Sequence, residues 1–598
     1  MQLYFGSRRF WILVFFTELM NFKTACSSIG EQGVNAVAIF DARSRAWSVQ
    51  LGPSNETDLP EGAAVVGFYT EAQLESTGWA LLDLRAVEQP LGSEVDFHLG
   101  LGLLEAYLTC HRIAQFLENF IPEMFPGSSP SKTLVEWVQE SFAWVRSSAA
   151  ESSPGNADHD FWGAVRGIVS QFDGLLEGSQ RFCPGSRDLS ETDLLLLNLN
   201  GDLFDIIPAL RNSGTDAGGV QAGVGWRAGV ERPAHCSAAV RLVPSEREAG
   251  AFSDLLVGHA TWDTFSNAFP RIFKHVTLPV WRSGEARRHT ASFSSSPGFL
   301  SSIDDFYSIS GSASLFVQET SIGVLRDELY RRLSPQTVPC FLRAVAANRL
   351  ARDGKEWARI FSTHHSGTYA DQWMVVDRSR FAPGRLDGAS GLLWVVEEAP
   401  GRIAARDMTS KLISDGYWAS YNIPFFAGMR SYMGYEDAER RDRPEFSFER
   451  CVRARLFREL LPAARSLEDM QWVMRWNDFR EEPISNGDPL RAIAARGDLS
   501  KPPPNGRRRA FGAIDSKVSS WRSVELGHIA AVAVAGPTRE QQPPFCWTDD
   551  FMESHQGHPR CFNGTRFVVP KGIGAPRGPP SAASILNLAS APAAAESW

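Results

Sequence analysis

The stretch HCSAAVRLVP, residues 235–244, decides the fold, because a histidine–cysteine pair leads directly into an apolar run. Val240 and Leu242 in this run are typical of a buried β-strand. The preceding residues 211–235 contain six glycines and show no helix or strand periodicity, which predicts a flexible segment that is easily cleaved. A plain interdomain linker has the same composition, so composition alone does not decide whether Cys236 has a special role.

The overall composition is that of a large globular protein. The chain has 598 residues, of which 43% are hydrophobic, and this length allows roughly two to four domains around a sizeable core. The net charge is −9 at pH 7, and no basic face is evident, which argues against nucleic acid as a partner. An apolar run of about 18 residues is absent, so we expect no membrane span.

The N-terminus resembles a signal peptide. Two arginines precede the apolar run FWILVFF, residues 10–16, and the small-residue stretch TACSS follows. We therefore expect a cleavable signal over residues 1–26 and a secreted or lysosomal protein, the alternative being an ordinary buried N-terminal segment. In a secreted protein the sequons at Asn55 and Asn563 would be glycosylation sites.

The eight cysteines contain no C-x-x-C pair, which excludes the common zinc-ribbon and thioredoxin-type motifs. Cys546 and Cys561 flank a short, loop-like segment and are candidates for a disulfide. The chain also lacks G-x-S-x-G, H-E-x-x-H and P-loop motifs. We therefore expect no α/β-hydrolase serine site, no metal site and no bound cofactor.

Strand and helix patterns alternate along the chain. Residues 34–52 read as two strands joined at DARS, and helical periodicity covers residues 99–120 and 132–147. The apolar run 193–210 ends at a proline-containing boundary. After Cys236, several short strand-like runs are separated by helical stretches. This mixture predicts an α+β fold with antiparallel sheets.

Cleavage before Cys236 would give one residue two reactive groups. The thiol would be a nucleophile, and the new α-amine, with an ordinary pKa of about 7.7–8.0, would be a base suited to neutral pH. A thiol with an ordinary pKa of about 8.5 needs such a neighbour to supply thiolate at lower pH. The alternative is a buried structural thiol, the commoner role of a lone cysteine.

Fourteen blocks of sequence resemble, in order, those of the phospholipase B-like family, also called the lamina-ancestor group. The resemblance covers nearly the whole chain. Among the blocks are LLEAYLT (103–109), HCSAAVRLVP (235–244), SDLLVGHATW (253–262), SGTYADQWMVVD (366–377), YWASYNIPFF (417–426), RARLF (453–457) and GAIDSKV (512–518).

The resemblance implies an N-terminal-nucleophile hydrolase, which is a four-layer αββα sandwich that cuts its own chain. The cut would fall between His235 and Cys236. It further implies that an N-terminal fragment, residues 27–210, and a C-terminal catalytic fragment, residues 236–569, stay associated after the cut. The remaining residues, 570–598, are rich in Pro, Ala, Gly and Ser, and we expect them to be disordered.

The matched blocks also imply site residues around the nucleophile. His259 would polarise the thiol or orient water, Asn422 would donate to an oxyanion, and Arg453 would lower the thiol pKa or bind the acyl oxygen. For His259 the alternative is a core histidine whose hydrogen bonds are all made within the protein. For Arg453 the alternative is a surface ion pair. Three further residues are expected to contact the substrate, the last two of which fit core packing equally well: Trp262, Ser296 and Thr320.

Some positions depart from the family pattern. Ala260 replaces the Asn of His-Asn-Thr-Trp, and Ala370 and Asp371 replace the two Asn residues of Tyr-Asn-Asn-Gln-Trp. The implied function is the deacylation of phospholipids or lysophospholipids through a thioester on Cys236. The same chemistry serves an amidase acting on N-acyl or peptide amides. The alanines motivate a third alternative, a non-catalytic lipid-binding member of the family.

Overall fold

The computed structural model describes most of the chain in ten segments. They are residues 33–53, 58–88, 96–125, 129–153, 155–183, 189–212, 236–282, 284–303, 305–502 and 508–571. The predicted signal peptide, the Asn55 sequon, the predicted linker from residue 213 through His235 and the tail beyond residue 571 lie outside the described residues. The predictions made for them therefore remain predictions.

Strands and helices alternate along the described chain. The strands are β1 (Val34–Asp41), β2 (Ala46–Leu51), β3 (Ala63–Thr70), β4 (Trp79–Ala86), β5 (Ser237–Pro244), β6 (Phe252–Ala260), β7 (Trp262–Thr264), β8 (Arg271–Arg282), β9 (Glu285–Ser295), β10 (Phe306–Ser310), β11 (Leu315–Ser321), β12 (Asp371–Asp377), β13 (Leu393–Ala399), β14 (Arg402–Asp407), β15 (Tyr417–Ser420), β16 (Phe511–Ala513), β17 (Asp515–Ser520), β18 (Ile529–Ala535) and β19 (Phe567–Pro570). The helices are α1 (Leu74–Thr77), α2 (Phe97–Met124), α3 (Lys132–Glu151), α4 (His159–Phe182), α5 (Glu191–Asn198), α6 (Asn200–Asn212), α7 (Cys340–Leu350), α8 (Gly354–Phe361), α9 (Thr409–Asp415), α10 (Ala427–Met433), α11 (Tyr435–Arg440), α12 (Val452–Leu460), α13 (Leu467–Met474) and α14 (Trp521–Glu525).

Two sheets contain most of the strands. The large sheet has the order β14-β13-β12-β11-β10-β9-β8-β4-β3-β1-β2, and the small sheet has the order β15-β5-β6-β17-β18-β19. β7 and β16 form a separate pair. β4 and β8 run parallel, and this contact joins the strands before the linker to those after it in one sheet. The predicted α+β class is therefore confirmed.

Strand β12 shows how the large sheet separates two hydrophobic cores. Trp373 and Val375 point to one face and pack into the core that contains the helices α2 to α8. Met374 and Val376 point to the other face and pack into a core that also contains apolar residues of the small sheet and of α12 and α13. Successive strand residues face opposite sides, so one sequence run fills both cores.

The helices α2 and α4 pack with their backbones in close contact. A Cβ atom on Gly102 would lie 2.0 Å from the carbonyl oxygen of Gln171, and one on Gly174 would lie 2.0 Å from that of Leu99. Only glycine permits this approach. A disulfide between Cys110 and Cys183, which the sequence patterns did not predict, also joins the two segments.

Most predicted elements are present with modest changes in their bounds. The strands at DARS are β1 and β2, and the two long predicted helices are α2 and α3, each extended by a few residues. The run 193–210 forms α5 and α6, and its Pro208 lies inside α6, which ends at Asn212. Buried Ile206, Ile207 and Leu210 on that helix offset the one hydrogen bond that proline removes. None of the described helices combines the length and apolar character needed to span a bilayer.

Candidate active site

Cys236 directly precedes β5 and is the first described residue after the predicted linker. Its side chain is buried, with 3% of the residue exposed. Its backbone has a φ of 70°, which is a left-handed conformation that costs a non-glycine residue about 1–2 kcal/mol. Ser237, the next residue, pairs with Ala260 of β6, so the strained cysteine lies at the end of a regular strand pair.

Cys236 lines a cavity with about 480 Å³ of space between its lining atoms, part of which is open to solvent. Half of the residues that line it are aromatic or aliphatic, and the other half, Cys236 included, are polar. The predicted substrate-contacting residues Trp262 and Ser296 both belong to this wall. The apolar members of the wall are Phe116, Phe204, Trp262, Phe299, Ile303, Tyr369 and Ile514.

Arg453 of α12 anchors the backbone of the cysteine. Its guanidinium donates to the carbonyl oxygen of Cys236 at 2.6 Å and to the Oδ1 atom of Asn422 at 2.6 Å. It also lies over the ring of Trp262, 4.6 Å from the centroid. Burial lowers the pKa of Arg453 to about 10, which leaves the group charged at neutral pH. Arg453 is therefore a buried contact of the cysteine and not a surface ion pair.

Asn422 is connected to Cys236 by Arg453, which hydrogen-bonds to both residues. Its backbone is left-handed, with a φ of 68°, which asparagine tolerates better than most residues. Its Nδ2 atom donates to the carbonyl oxygen of Ser321 at 2.6 Å. In this state the amide hydrogens contact the protein, and the oxyanion role of Asn422 stays a prediction.

His259 is fully buried on β6, in contact with both sheets. Its Nε2 atom lies 2.9 Å from the carbonyl oxygen of Glu319 on β11, and its Nδ1 atom lies 3.1 Å from the Nζ atom of Lys517 on β17. The Sγ atom of Cys236, a ring nitrogen of His259 and a carboxylate oxygen of Glu319 all lie within 4.8 Å of one another. The structure thus brings the predicted histidine next to the predicted nucleophile.

These three atoms are of the types that bind zinc. Both ring nitrogens of His259 already have hydrogen-bonding contacts within the protein, one of them to an ammonium group. A cation bound to the imidazole would therefore have to displace one of these contacts, and at the Nδ1 atom it would meet the positive charge of Lys517. This arrangement suits acid–base and nucleophilic chemistry better than metal binding.

Thr320 lies on β11, between the sheets. Its hydroxyl oxygen is 2.6 Å from that of Ser420 on β15, and the residue is fully buried. It does not belong to the set of described residues that line the cavity. Its predicted contact with substrate stays a prediction.

A chain of charged side chains connects His259 to the cavity wall, and sequence reasoning did not find it. Lys517 contacts the Oδ1 atom of Asp515 at 2.8 Å, and Arg271 donates to the Oδ2 atom of the same carboxylate at 3.1 Å. Arg271 also donates to the hydroxyl of Ser296 at 2.5 Å. In the sequence, five of the six residues of DSKVSS are polar, so only the packing of the two sheets shows that these charges are buried.

Three cysteines among the described residues are outside disulfides, namely Cys236, Cys340 and Cys451. The predicted bond between Cys546 and Cys561 is present. Burial raises the pKa of Cys340 well above its usual range and also raises the pKa of Cys451, which makes both thiols poor nucleophiles. Of these three thiols outside disulfides, Cys236 is the one that lines the cavity.

The family departures fall close to this site. Ala260 is fully buried between the sheets, beside His259. The backbone amide of Ala370 donates to Asp205, and its carbonyl oxygen accepts from Ile322. Both alanines therefore contribute backbone contacts near the site, since Ala260 also pairs with Ser237 of β5.

The fold and the site define a class of protein, namely an α+β protein with a strained, buried cysteine at a cavity of mixed apolar and polar lining. A sequence model of the family described as phospholipase B matches residues 65–569. Phospholipase B-like protein G of Dictyostelium discoideum is 33% identical over 529 residues, which cover 83% of this chain and 85% of that protein. Phospholipase B-like 1 of Homo sapiens is 31% identical over 503 residues, with 83% and 85% covered, and phospholipase B of Crotalus adamanteus is 30% identical over 518 residues, with 84% and 88% covered. The chain belongs to the phospholipase B family, as its sequence blocks predicted.

Proposed function

We propose that this protein is a phospholipase B-like acyl hydrolase that becomes active by cutting its own chain before Cys236. The observation that carries the proposal is the position of this thiol. It follows the predicted linker, its backbone is strained, and among the described cysteines outside disulfides it is the one that lines the cavity. The names of the relatives agree with a hydrolase acting on phospholipids.

The proposal includes the four-layer αββα arrangement of N-terminal-nucleophile hydrolases. Two features of the packing support it. Helices share one core with one face of the large sheet, and the two sheets share the other core with α12 and α13. A nucleophile at the start of a strand between the layers is what that class of enzyme requires.

The self-cleavage step balances with one water molecule. The thiol of Cys236 attacks the carbonyl carbon of His235, and the peptide nitrogen leaves as the free α-amine of Cys236, so that the peptide becomes a thioester. Water then hydrolyses the thioester, giving a carboxylate on His235 and regenerating the thiol. The left-handed backbone at Cys236 supports this step, because strain in the starting peptide is relieved when the bond breaks.

The same groups would then act on the substrate. The α-amine of Cys236 accepts the thiol proton, the sulfur attacks the acyl carbon, and the departing alcohol takes the proton back. Water attacks the resulting thioester and releases the fatty acid. Asn422 and Arg453 are the proposed stabilisers of the oxyanion, Asn422 after its amide leaves Ser321.

The cavity supports an acyl substrate with a lipid chain. Half of its lining residues are aromatic or aliphatic, and burial of each methylene group against them stabilises a bound chain by about 0.8 kcal/mol. Localisation in a secreted or lysosomal compartment belongs to the same proposal. It rests on the resemblance of the N-terminus to a signal peptide and on two disulfides, which form in oxidising compartments. The predicted glycosylation at Asn563 agrees with it, because that side chain is exposed.

The two fragments would stay associated. Residues before the linker supply β1 to β4 of the large sheet, and the parallel pairing of β4 with β8 joins them to residues after it. Both segments also contribute apolar side chains to the two cores. This shared core supports the proposal that one folded unit remains after the cut.

The decisive experiment compares the wild-type chain with Cys236→Ala, and with Cys451→Ala as a matched control for loss of a buried thiol. After incubation at acidic and neutral pH, the N-termini of all fragments are sequenced. We expect a fragment that begins at Cys236 in the wild type and in Cys451→Ala, and none in Cys236→Ala. An uncut wild type at every pH would overturn self-activation.

A second measurement tests the substrate. Cut protein is incubated with a phospholipid, a lysophospholipid and an N-acyl amide, and fatty acid release is followed. We expect release from the ester lipids. Release from the amide alone would identify an amidase, and lipid binding without release would identify a non-catalytic member.

A further inference from the structure

The hydrogen bonds around His259 determine where its ring proton lies. The Lys517 ammonium can only donate and a carbonyl oxygen can only accept. The Nδ1 atom, 3.1 Å from the ammonium, must therefore accept, and the Nε2 atom, 2.9 Å from the carbonyl of Glu319, must carry the hydrogen. Both contacts assign the same neutral tautomer.

The ammonium of Lys517 is itself fixed in place. It contacts Asp515 at 2.8 Å and the hydroxyl of Thr261 at 2.5 Å, besides the imidazole. Arg271 contacts the other oxygen of Asp515, so this carboxylate is shared by two cations. The lysine side chain is fully buried, and reorientation would break several contacts at once.

We propose that Lys517 is a positioning residue that keeps His259 neutral, so that the imidazole does not take the proton of the Cys236 thiol. The proposal rests on the proposed function in treating Cys236 as the nucleophile. Protonating the ring would remove the acceptor of the lysine and place a second positive charge about 3 Å from the first. The proton must then go to another base, and the α-amine created by cleavage is on the same residue as the thiol.

The other charged groups near His259 do not reverse this conclusion. Glu319 on β11 supplies a carboxylate, and the hydroxyl of Tyr369 donates to that carboxylate at 3.1 Å. Asp515 on β17 is already shared by Lys517 and Arg271. Among these charged groups, the ammonium of Lys517 is the one in direct contact with the Nδ1 atom of His259.

The first test is the pH dependence of the alkylation of Cys236 by iodoacetamide, followed by mass spectrometry of its peptide. This measurement requires neither chain cleavage nor turnover, so its failure is separate from failure of the proposed function. His259→Gln mimics the neutral tautomer, because its amide nitrogen can donate to Glu319 and its oxygen can accept from Lys517. We expect the midpoint of the profile to be unchanged in this variant. A midpoint displaced by about one pH unit or more would show that His259 titrates with the thiol and would overturn the proposal.

The second test removes the ammonium. In Lys517→Met the imidazole is free to protonate, and we expect a second ionisation in the alkylation profile of Cys236 between about pH 5 and 7.5. Lys517→Arg keeps the cation and should keep the wild-type profile. The double variant Lys517→Met with His259→Gln should return to the wild-type profile, whereas effects that simply add would indicate a structural role. If Lys517→Met does not fold, the His259→Gln result alone decides.

Discussion

Arg453 shows at the scale of one residue why a guanidinium is needed at this site. It donates to the carbonyl oxygens of Cys236 and Tyr421 and to the Oδ1 atom of Asn422. A planar fork of donors meets several acceptors at fixed angles, which the single ammonium of lysine cannot do. The position of the Cys236 backbone therefore depends on the type of cation as well as on its charge.

Arg453→Lys is expected to slow chain cleavage by about tenfold or more, because at least one hydrogen bond to a charged group, worth about 1.5–3 kcal/mol, is lost. The rate is measured from the appearance of the fragment that begins at Cys236. Arg455→Lys is the matched control, since Arg455 is exposed on the same helix, and its rate should be unchanged. Equal rates in the two variants would contradict the anchoring role.

Asp371 gives the site a pH-dependent stability. Burial, with a further contribution from the charge of Glu319, raises the pKa of this carboxyl well above its usual range. The folded state then binds a proton that the unfolded state has lost, so the free energy of unfolding falls as the pH rises from about 4 towards the folded pKa. Asp371→Asn is expected to remove this fall, as judged from urea midpoints at pH 4.5 and 7.5. Asp442→Asn, at an exposed position, is the control and should leave the pH dependence as it is in the wild type.

At the scale of elements, sequence reasoning succeeded where the signal is local. Alternation and helical periodicity identified β1, β2, α2 and α3 because each pattern depends on neighbours in the chain. The pairing of β4 with β8 was not predicted, since the paired residues Trp79 and Arg271 are far apart in the sequence. The change of composition drew attention to Cys236, and the resemblance of its sequence block assigned its role, whereas Lys517 looks like an ordinary polar strand residue until β17 pairs with β6 and places it beside His259.

The contact between α2 and α4 makes a clear prediction about two glycines. Gly174→Ala places a methyl group 2.0 Å from the carbonyl oxygen of Leu99, and overpacking of this kind costs about 1–3 kcal/mol or more. Gly163→Ala lies on the same helix with nothing within 4 Å of its new methyl group, and should increase stability by up to about 1 kcal/mol. Thermal unfolding of both variants checks the prediction. A Gly174→Ala protein as stable as Gly163→Ala would contradict the close helix contact.

At the scale of the whole molecule, the proposed cut would leave two chains connected by packing alone. Each described disulfide joins two cysteines of the same fragment: Cys110–Cys183 lies in the fragment before the linker, and Cys546–Cys561 lies in the fragment after it. The large sheet and both cores, however, contain residues of both fragments. The disulfides therefore do not connect the two fragments, whereas the large sheet and the cores do.

Cut protein is expected to elute as one species in gel filtration and to separate into two bands on a denaturing gel without reductant. The sheet and the cores account for the first result, and the placement of the disulfides accounts for the second. Uncut Cys236→Ala protein is the control and should give one species in both experiments. Two peaks in gel filtration of the cut protein would contradict the association of the fragments.

The burial of Cys236 has a consequence for the lifetime of the cut protein. Chain ends usually fray and are open to trimming by exopeptidases. Here the new first residue would have 3% of its surface exposed, and its carbonyl oxygen accepts a hydrogen bond from a buried arginine. An aminopeptidase needs an extended end that can enter its own cleft, and this end is enclosed by both sheets. If the chain is cut as proposed, this terminus is expected to resist removal by aminopeptidases.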